Sequence, residues 1–291
     1  EDGARGNAGF VDLGDRTVGF DTFVSPRAAE DLRRAVERFT GRPADWAVNS
    51  HWHGDHYFGN QVFAPQAAVI ATRKTSQVIA EKVGQLASAR QRLPEAIREL
   101  EAKLDAGTDE AVRQGFEKEI KTLEIRHKIY ASIVPTLPGL TFEGEFAIQG
   151  TRRTATLLSY ENGHTLSDAV MFLPEDGILF AGDLVFIHGH PWMGDGDPDG
   201  WLAALEAFAR LGVQTLVPGH GPVATMDDLP PLREYLAEIP QLVREAIRAG
   251  KGAEEIESLP VPEKYRDWEG PEVFGWNMGA FFRKFQDESK G

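Results

Sequence analysis

The chain has 291 residues, which is enough for one large domain or for one domain with an appendage. Its formal net charge of −14 disfavours nucleic acid as a partner, because an acidic chain repels phosphate backbones. The absence of cysteine excludes disulfides, thiolate zinc sites and cysteine nucleophiles. No apolar run reaches the roughly 18 residues that span a bilayer, so we expect a soluble protein without a membrane segment. Its compartment stays open between cytoplasm and periplasm, since the sequence begins at Glu1 and leaves room for a removed N-terminal segment.

The first seventy residues alternate between short apolar strands and helical patterns. Residues 8–24 predict a β-hairpin or two short strands that turn at Gly14. Residues 25–40 predict a helix, because the serine and proline at its start are typical N-cap and first-turn residues. Short apolar runs at 45–49 and 67–71 predict two more strands. This alternation indicates a layered α/β fold.

A charged segment at about 76–134 interrupts the α/β pattern. Its apolar residues recur at helical spacing in two sets, which a glycine-containing turn at 106–109 separates. The segment therefore predicts a helical hairpin inserted into the domain. Three roles stay open for it: a structural insertion, an arm that forms a homodimer, or a lid over a functional site.

From Gly139 the pattern of strands returns, and helical patterns follow towards the C-terminus. Strands are predicted over 141–148, 154–159, 169–173, 178–181 and 215–217. A helix is predicted over 199–211. Residues 229–291 are predicted as helical, with breaks at Pro240, Pro260, Pro262 and Pro271. We predict two units, an α/β domain over 1–228 that contains the insertion and a helical extension over 229–291.

The candidate chemistry concentrates in the string NSHWHGDH, which directly follows an apolar strand. Residues i and i+2 of an extended segment point the same way, so His51 and His53 can reach one metal ion. Gly54 permits a turn that would direct Asp55 and His56 towards a second ion.

Three later residues, His164, Asp183 and His220, have the same ligand chemistry and lie in glycine-flanked loops beside predicted strands. Zinc favours imidazole nitrogen and carboxylate oxygen, and its catalytic sites keep one position open. A lone histidine beside a strand is usually structural. Here, five of the eight histidines fall in one pattern with two suitable carboxylates, which predicts a two-metal site.

The strings HWHGDH, GHT, AGD and PGHG, in this order, resemble the metallo-β-lactamase-fold hydrolase superfamily. The resemblance covers roughly 7–75 and 139–225. It implies an α/β fold of the αββα type, a four-layer sandwich with its site at one edge. It also assigns the ligands: His51, His53 and His164 to a first metal, Asp55, His56 and His220 to a second, and Asp183 to both.

The implied reaction is hydrolysis by a hydroxide that bridges the two metal ions. Asp55 is the predicted catalytic residue, because its outer oxygen would orient this hydroxide while it holds the second metal. Two Zn²⁺ ions are the expected cofactors, and iron or manganese also suits these donors. The flavodiiron branch has a glutamate where this chain has His53, which argues against oxygen reduction at a diiron site.

The expected substrate is a small-molecule ester, thioester, lactone or amide. The commonest zinc β-lactamases have a cysteine at the position of Asp183, so the chain is more similar to the thioesterase and lactonase branches, with β-lactam hydrolysis as a side activity. Three alternatives stay open: a phosphodiesterase or nuclease, a mononuclear iron persulfide dioxygenase that uses only the first site, and a binding module with a decayed site.

Several residues outside the ligand set also receive predictions. The resemblance suggests that Asp21 supports the ligands from behind, and the alternative is a turn-forming aspartate. His188 and His190 are interpreted either as substrate contacts at the site mouth or as solvent-facing loop residues. Three aromatic residues either line the pocket or only pack: Trp52, Tyr57 and Phe58.

Overall fold

Ten strands form two five-stranded sheets in the computed structural model, which describes residues 5–105 and 109–288. The first sheet contains β1 (Gly9–Asp12), β2 (Thr17–Phe20), β3 (Trp46–Val48), β4 (Ala68–Thr72) and β5 (Leu140–Phe142). The second contains β6 (Glu145–Gln149), β7 (Thr154–Glu161), β8 (Ser167–Leu173), β9 (Ile178–Phe186) and β10 (Thr215–His220). Within each sheet the strands lie side by side in chain order. Both sheets are mixed. In the first sheet β1 and β2 are antiparallel and the other neighbouring strands are parallel. In the second sheet each strand from β6 to β9 is antiparallel to the next, and β9 and β10 are parallel.

Helices pack on the outer faces of the two sheets, and two long helices form the inserted segment. They are α1 (Pro26–Thr40), α2 (Gly54–Tyr57), α3 (Asn60–Phe63), α4 (Arg73–Asp105), α5 (Glu110–Ser132), α6 (Pro198–Phe208), α7 (Pro230–Arg248), α8 (Ala253–Glu257) and α9 (Glu272–Glu288). In the described ranges, none of these helices combines the length and apolar character needed to cross a bilayer.

Three apolar clusters hold four layers together. Between the sheets, residues from both inner faces interdigitate, including Val18, Val48 and Ile70 from the first sheet and Leu157, Ala169 and Met171 from the second. Outside the first sheet, α1 buries Ala29, Leu32 and Val36. Outside the second sheet, α6 shares one cluster with α7 and α9. Each large apolar side chain in such a core contributes about 1.5–3 kcal/mol. The prediction of an αββα sandwich is therefore confirmed.

The inserted segment is a long antiparallel helical hairpin of α4 and α5, as predicted. Leu93 and Leu100 are buried on the facing side of α4. Asp109 directly precedes α5, and its carboxylate accepts a hydrogen bond of 3.1 Å from the Val112 amide. The rest of the predicted turn, 106–108, lies outside the described residues.

Two predicted elements differ from the structure. The single strand expected over 141–148 is wrong, because β5 ends at Phe142 and β6 begins at Glu145 in the other sheet. Gly144 has a φ of 70°, a left-handed conformation that lets the chain turn from one sheet into the next. The expected break at Pro240 is also wrong, since α7 continues through it. Buried residues on both sides, among them Leu236 and Val243, keep this helix on the core.

Candidate metal centre

All seven predicted ligand residues meet at one edge of the sandwich. The loop after β3 supplies two histidines, and the short helix α2 supplies Asp55 and His56. A hydrogen bond of 2.7 Å from the Ala169 amide to the Ser50 carbonyl joins this loop to β8 of the other sheet. The Thr22 amide donates to the His56 carbonyl at 2.8 Å and fixes α2 on the first sheet. The site is therefore assembled across both sheets.

Gly54 is needed at the start of α2 for space. A Cβ atom at this position would lie 2.5 Å from the Phe58 ring. Gly54 does not have a left-handed backbone, so a positive φ is not what directs Asp55 and His56 into the site. Its absent side chain lets Phe58 fold back over α2, next to Asp55.

A first group consists of His51, His53, His164 and Asp183, whose candidate ligand atoms all lie within 4.8 Å of one another. His164 Nε2 lies 2.9 Å from His53 Nδ1. The Oδ2 atom of Asp183 lies 3.6 Å from His51 Nε2 and 3.4 Å from His164 Nε2. Three imidazoles and one carboxylate around a common point match the donors that zinc prefers.

A second group consists of Asp55, His56 and His220, whose ligand atoms also lie within 4.8 Å of one another. The Oδ2 atom of Asp55 lies 3.5 Å from His220 Nε2 and 3.8 Å from His56 Nε2. Asp55 and His220 are about a quarter exposed, so this group borders solvent.

Asp183 contacts both groups. Its Oδ1 atom lies 3.1 Å from His56 Nε2, and its Oδ2 atom lies 3.4 Å from the Nε2 atoms of both His164 and His220. The predicted position of Asp183, just after a strand, is wrong, because Asp183 lies inside β9. Gly182, with a φ of 52°, kinks β9 where its pairing with β10 shifts, and this irregularity turns Asp183 into the site.

Several buried polar atoms at the site lack a hydrogen-bond partner in the described part of the chain. They are His51 Nε2, His56 Nε2, His164 Nδ1 and Asp183 Oδ1. Buried polar atoms are nearly always paired. The unpaired Nε2 atoms of His51 and His56 face the Asp183 carboxylate, and this arrangement is typical of a site for a cation. The residues present therefore fit divalent metal ions.

Asp21 lies behind the site, as the resemblance suggested. Its Oδ2 atom lies 2.8 Å from His56 Nδ1, and its two oxygens accept from the Ser50 amide at 2.7 Å and the Ser50 hydroxyl at 2.8 Å. The same hydroxyl lies 2.9 Å from His51 Nδ1. Because the Nδ1 atoms face this network, the Nε2 atoms of His51 and His56 face the site.

Asp195 contacts the outer nitrogen of His53, as Asp21 contacts that of His56, and this role was not predicted from the sequence. Its Oδ2 atom lies 3.1 Å from His53 Nε2 and accepts a bond of 2.6 Å from Trp192 Nε1. His53 therefore presents Nδ1 to the first group. The signal in the sequence is weak, because Asp195 is one of three aspartates in the glycine-rich loop GDGDPDG.

The electrostatics of the two groups differ. Burial lowers the pKa of His164 to about 3 and also holds that of His51 well below its usual value. Burial would likewise lower the pKa of His56, but nearby carboxylates, Asp183 foremost, raise it well above the usual value. Against burial, Asp183 also raises the pKa of His220. Burial would raise the pKa of Asp183 itself, but the surrounding histidines hold it well below its usual value.

The two histidines of the glycine-rich loop differ from each other. His190 is buried, with Nδ1 3.1 Å from the Tyr235 hydroxyl and its ring against Trp268. Both predicted roles, substrate contact and solvent-facing residue, are therefore wrong for His190. The cause is the pairing of its loop with the segment at Glu269, which local sequence does not show. His188 is exposed.

Comparisons with known proteins agree with this fold. The model of the metallo-β-lactamase superfamily matches residues 2–220. A comparison with curated proteins gives no match. Among solved structures, a metallo-β-lactamase from Pontibacter korlensis is 19% identical with a TM-score of 0.56, covering 78% of this chain and 85% of its own.

Two further solved structures are similar at the same level. The metallo-β-lactamase DIM-1 is 18% identical with a TM-score of 0.56, over 80% of this chain and 87% of its own. The mono-zinc form of FIM-1 from Pseudomonas aeruginosa is 18% identical with a TM-score of 0.52, over 79% of this chain and 82% of its own. At such identities the likeness shows the fold, and the family model covers most of the sequence. The chain belongs to the metallo-β-lactamase superfamily.

Proposed function

We propose that this protein is a binuclear metal-dependent hydrolase that acts on a small-molecule ester, thioester, lactone or amide. The observation that carries the proposal is the position of Asp183, whose two oxygens contact histidines of both groups. A carboxylate placed in this way suits two ions held close together. Zinc is the ion we propose for both positions, and iron or manganese suits the same donors.

Divalent ions bound in the two groups would lower the pKa of a shared water and polarise the carbonyl oxygen of a substrate. The chain itself supplies the orientation of the ligands. Asp21 and Asp195 accept from the outer nitrogens of His56 and His53, which fixes the nitrogens that face inward. Asp55 belongs to the second group and also lines a cavity, so its carboxylate can accept a proton from a water there.

The uneven burial of the ligands supports a catalytic role. The side chains of His51, His56 and His164 are fully buried, whereas Asp55 and His220 are about a quarter exposed. A purely structural metal site is closed by protein on all sides, while a catalytic site keeps an open position. The open side here borders a cavity of about 300 Å³, the size of a small-molecule subsite.

The structural neighbours are named metallo-β-lactamases, which supports a β-lactam as a side substrate. The chain has Asp183 at the position for which the resemblance gives the commonest zinc β-lactamases a cysteine, and it has no cysteine at all. We therefore propose ester, thioester or lactone hydrolysis as the main activity and β-lactam hydrolysis as the lesser one.

A substrate panel tests the proposal: nitrocefin, a lactone, a thioester and bis(p-nitrophenyl) phosphate, with and without a chelator. We expect turnover of at least one carbonyl substrate that the chelator abolishes and added zinc restores. Asp55→Asn should lower kcat roughly 100-fold or more with the fold retained. Asp227→Asn, the same change at an exposed aspartate, should leave kcat within about twofold.

Two outcomes would contradict the proposal. Turnover of the phosphodiester alone would make the protein a phosphodiesterase. About one iron per chain without any hydrolysis would favour a mononuclear dioxygenase that uses only the first group.

A further inference from the structure

The inserted hairpin forms one wall of the site mouth. The Tyr130 ring of α5 packs edge-on against Phe58, with ring centroids 5.7 Å apart and an interplanar angle of 88°. The guanidinium of Arg90 on α4 donates to the Tyr130 carbonyl at 2.8 Å and also to the carbonyl of Ile133. Because Phe58 follows α2 directly, the end of α5 is fixed beside the candidate ligands Asp55 and His56.

Two adjoining cavities lie along this wall. The first, of about 300 Å³, is bordered by Asp55 on one side and by Arg126 of α5 on the other. The second, of about 310 Å³, extends along α4 past Trp52, Lys82 and Arg92. Both are bordered by Gly54, Phe58 and Tyr130. A ligand at the metal centre can therefore extend between aromatic rings onto the hairpin.

The charge of these cavities is opposite to that of the chain. The whole sequence carries a net charge of −14. The first cavity is lined by two arginines with Asp55 as its one carboxylate, and the second by Lys82 and Arg92 with none, among the residues that the structure describes. Such a local reversal of charge next to a site attracts and positions an anion.

These cations also lack carboxylate partners within the described residues. On the hairpin the ion pairs are formed by Arg73, Lys74 and Arg113, not by Lys82, Arg92 or Arg126. Lys82 Nζ lies instead 4.3 Å from the centre of the Trp52 ring. An uncompensated guanidinium at the rim of an aromatic cavity is a typical partner for a carboxylate or a phosphate.

We propose that the hairpin is the substrate-recognition element of this site and that the substrate carries an anionic group, a carboxylate or a phosphate. The anionic group would bind Arg126 or the Lys82–Arg92 side, while an apolar or aromatic part of the substrate packs between Phe58 and Tyr130. The labile bond would then lie next to Asp55. The proposal rests on the proposed hydrolase function, and it names the substrate class that the function leaves open.

A matched pair of esters tests the selectivity. 4-Nitrophenyl pentanoate and mono-4-nitrophenyl glutarate have acyl chains of equal length, and only the second ends in a carboxylate. We expect a higher kcat/KM for the glutarate ester. Arg126→Gln or Arg92→Gln should lower that value about tenfold through KM, the effect of one partly solvated charge-assisted hydrogen bond. The pentanoate ester should change less than about twofold.

Lys118→Gln is the control, because Lys118 is exposed on α5, the helix that carries Arg126, and lines neither cavity. It should leave both esters unchanged. Equal loss for the two esters in the arginine variants, or no loss in both arginine variants, would overturn the proposal.

A binding experiment separates this proposal from the hydrolase proposal. Calorimetric titration with phenylacetate, phenyl phosphate and neutral phenylacetamide needs no turnover. We expect at least one anion to bind more tightly than the amide, and the better anion identifies the group. Arg126→Gln or Arg92→Gln should weaken that anion about tenfold, whereas Lys118→Gln should not. Anion binding that depends on metal but on neither arginine would overturn the subsite, even if hydrolysis is found.

Discussion

Asp21→Asn tests how strongly the carboxylate behind the site controls the second metal position. Asparagine has the shape of aspartate and tolerates the left-handed φ of 59° at this position, so the backbone should stay in place. Asp21 accepts from three donors, two on Ser50 and one on His56. An amide has one oxygen, so its NH₂ group must replace either the oxygen that faces the Ser50 amide or the oxygen that faces both the Ser50 hydroxyl and His56. An NH₂ group that faces His56 would donate to Nδ1 and hold the proton of the neutral imidazole on Nε2, the atom that points into the site.

The magnitude follows from the burial of this contact. Asp21 is 1% exposed, so water cannot replace the lost acceptor. Loss of the hydrogen bond between a metal-ligating histidine and the carboxylate behind it typically lowers metal affinity 10- to 100-fold. This corresponds to about 1.4–2.7 kcal/mol. We expect the loss at the second position, since the direct contact of Asp21 is with His56.

The assay is competitive titration of zinc against a chelator, with bound metal counted by mass spectrometry. Asp21→Asn should weaken one of two binding steps and leave the other unchanged. Asp195→Asn is the matched control. Its carboxylate, 36% exposed, contacts His53 of the first group, so water can take its place and a change of less than about threefold is expected there. Equal weakening of both binding steps by Asp21→Asn, or no change in either, would show that Asp21 does not control the second metal position.

Three further predictions concern the same centre. Asp183→Asn should lower metal content and turnover together, because a carboxylate that contacts both groups is lost; unchanged metal content would remove Asp183 from the bridge. Gly219→Ala should lower metal content, since its Cβ would lie 2.0 Å from Asp183 Oδ1, whereas Gly84→Ala, with no atom within 4 Å of the added methyl, should be tolerated. His56 and His220 have raised pKa values and must release their protons to bind metal, so zinc should leave the second position first as the pH falls below neutrality. Metal counts after dialysis at stepped pH values would show the order, and simultaneous loss of both ions would contradict it.

The ligand cluster was predictable because its signals are local. His51 and His53 are two residues apart on an extended segment, and the next two candidates fall on the short helix that follows. The later candidates are marked by glycines at strand ends. Asp183 does not follow a strand end, since Gly182 directs it into the site by kinking β9 within the sheet.

Other features depend on contacts between distant segments. Asp195 lies 142 residues from His53, and nothing in its loop distinguishes it from neighbouring aspartates. His190 is buried because its loop pairs with the segment at Glu269. Helical periodicity predicted the hairpin of α4 and α5, yet only the packing of Tyr130 on Phe58 shows which part of the domain it faces. A homodimer formed through this hairpin stays a prediction.

We propose that two metal ions are held at this edge of the sandwich. The most direct test is the metal content of the purified protein by inductively coupled plasma mass spectrometry, with protein concentration from amino-acid analysis. We expect about two divalent ions per chain, zinc foremost, and about one or fewer in Asp183→Asn. Protein that holds no metal after incubation with zinc, or one ion that Asp183→Asn leaves in place, would contradict it.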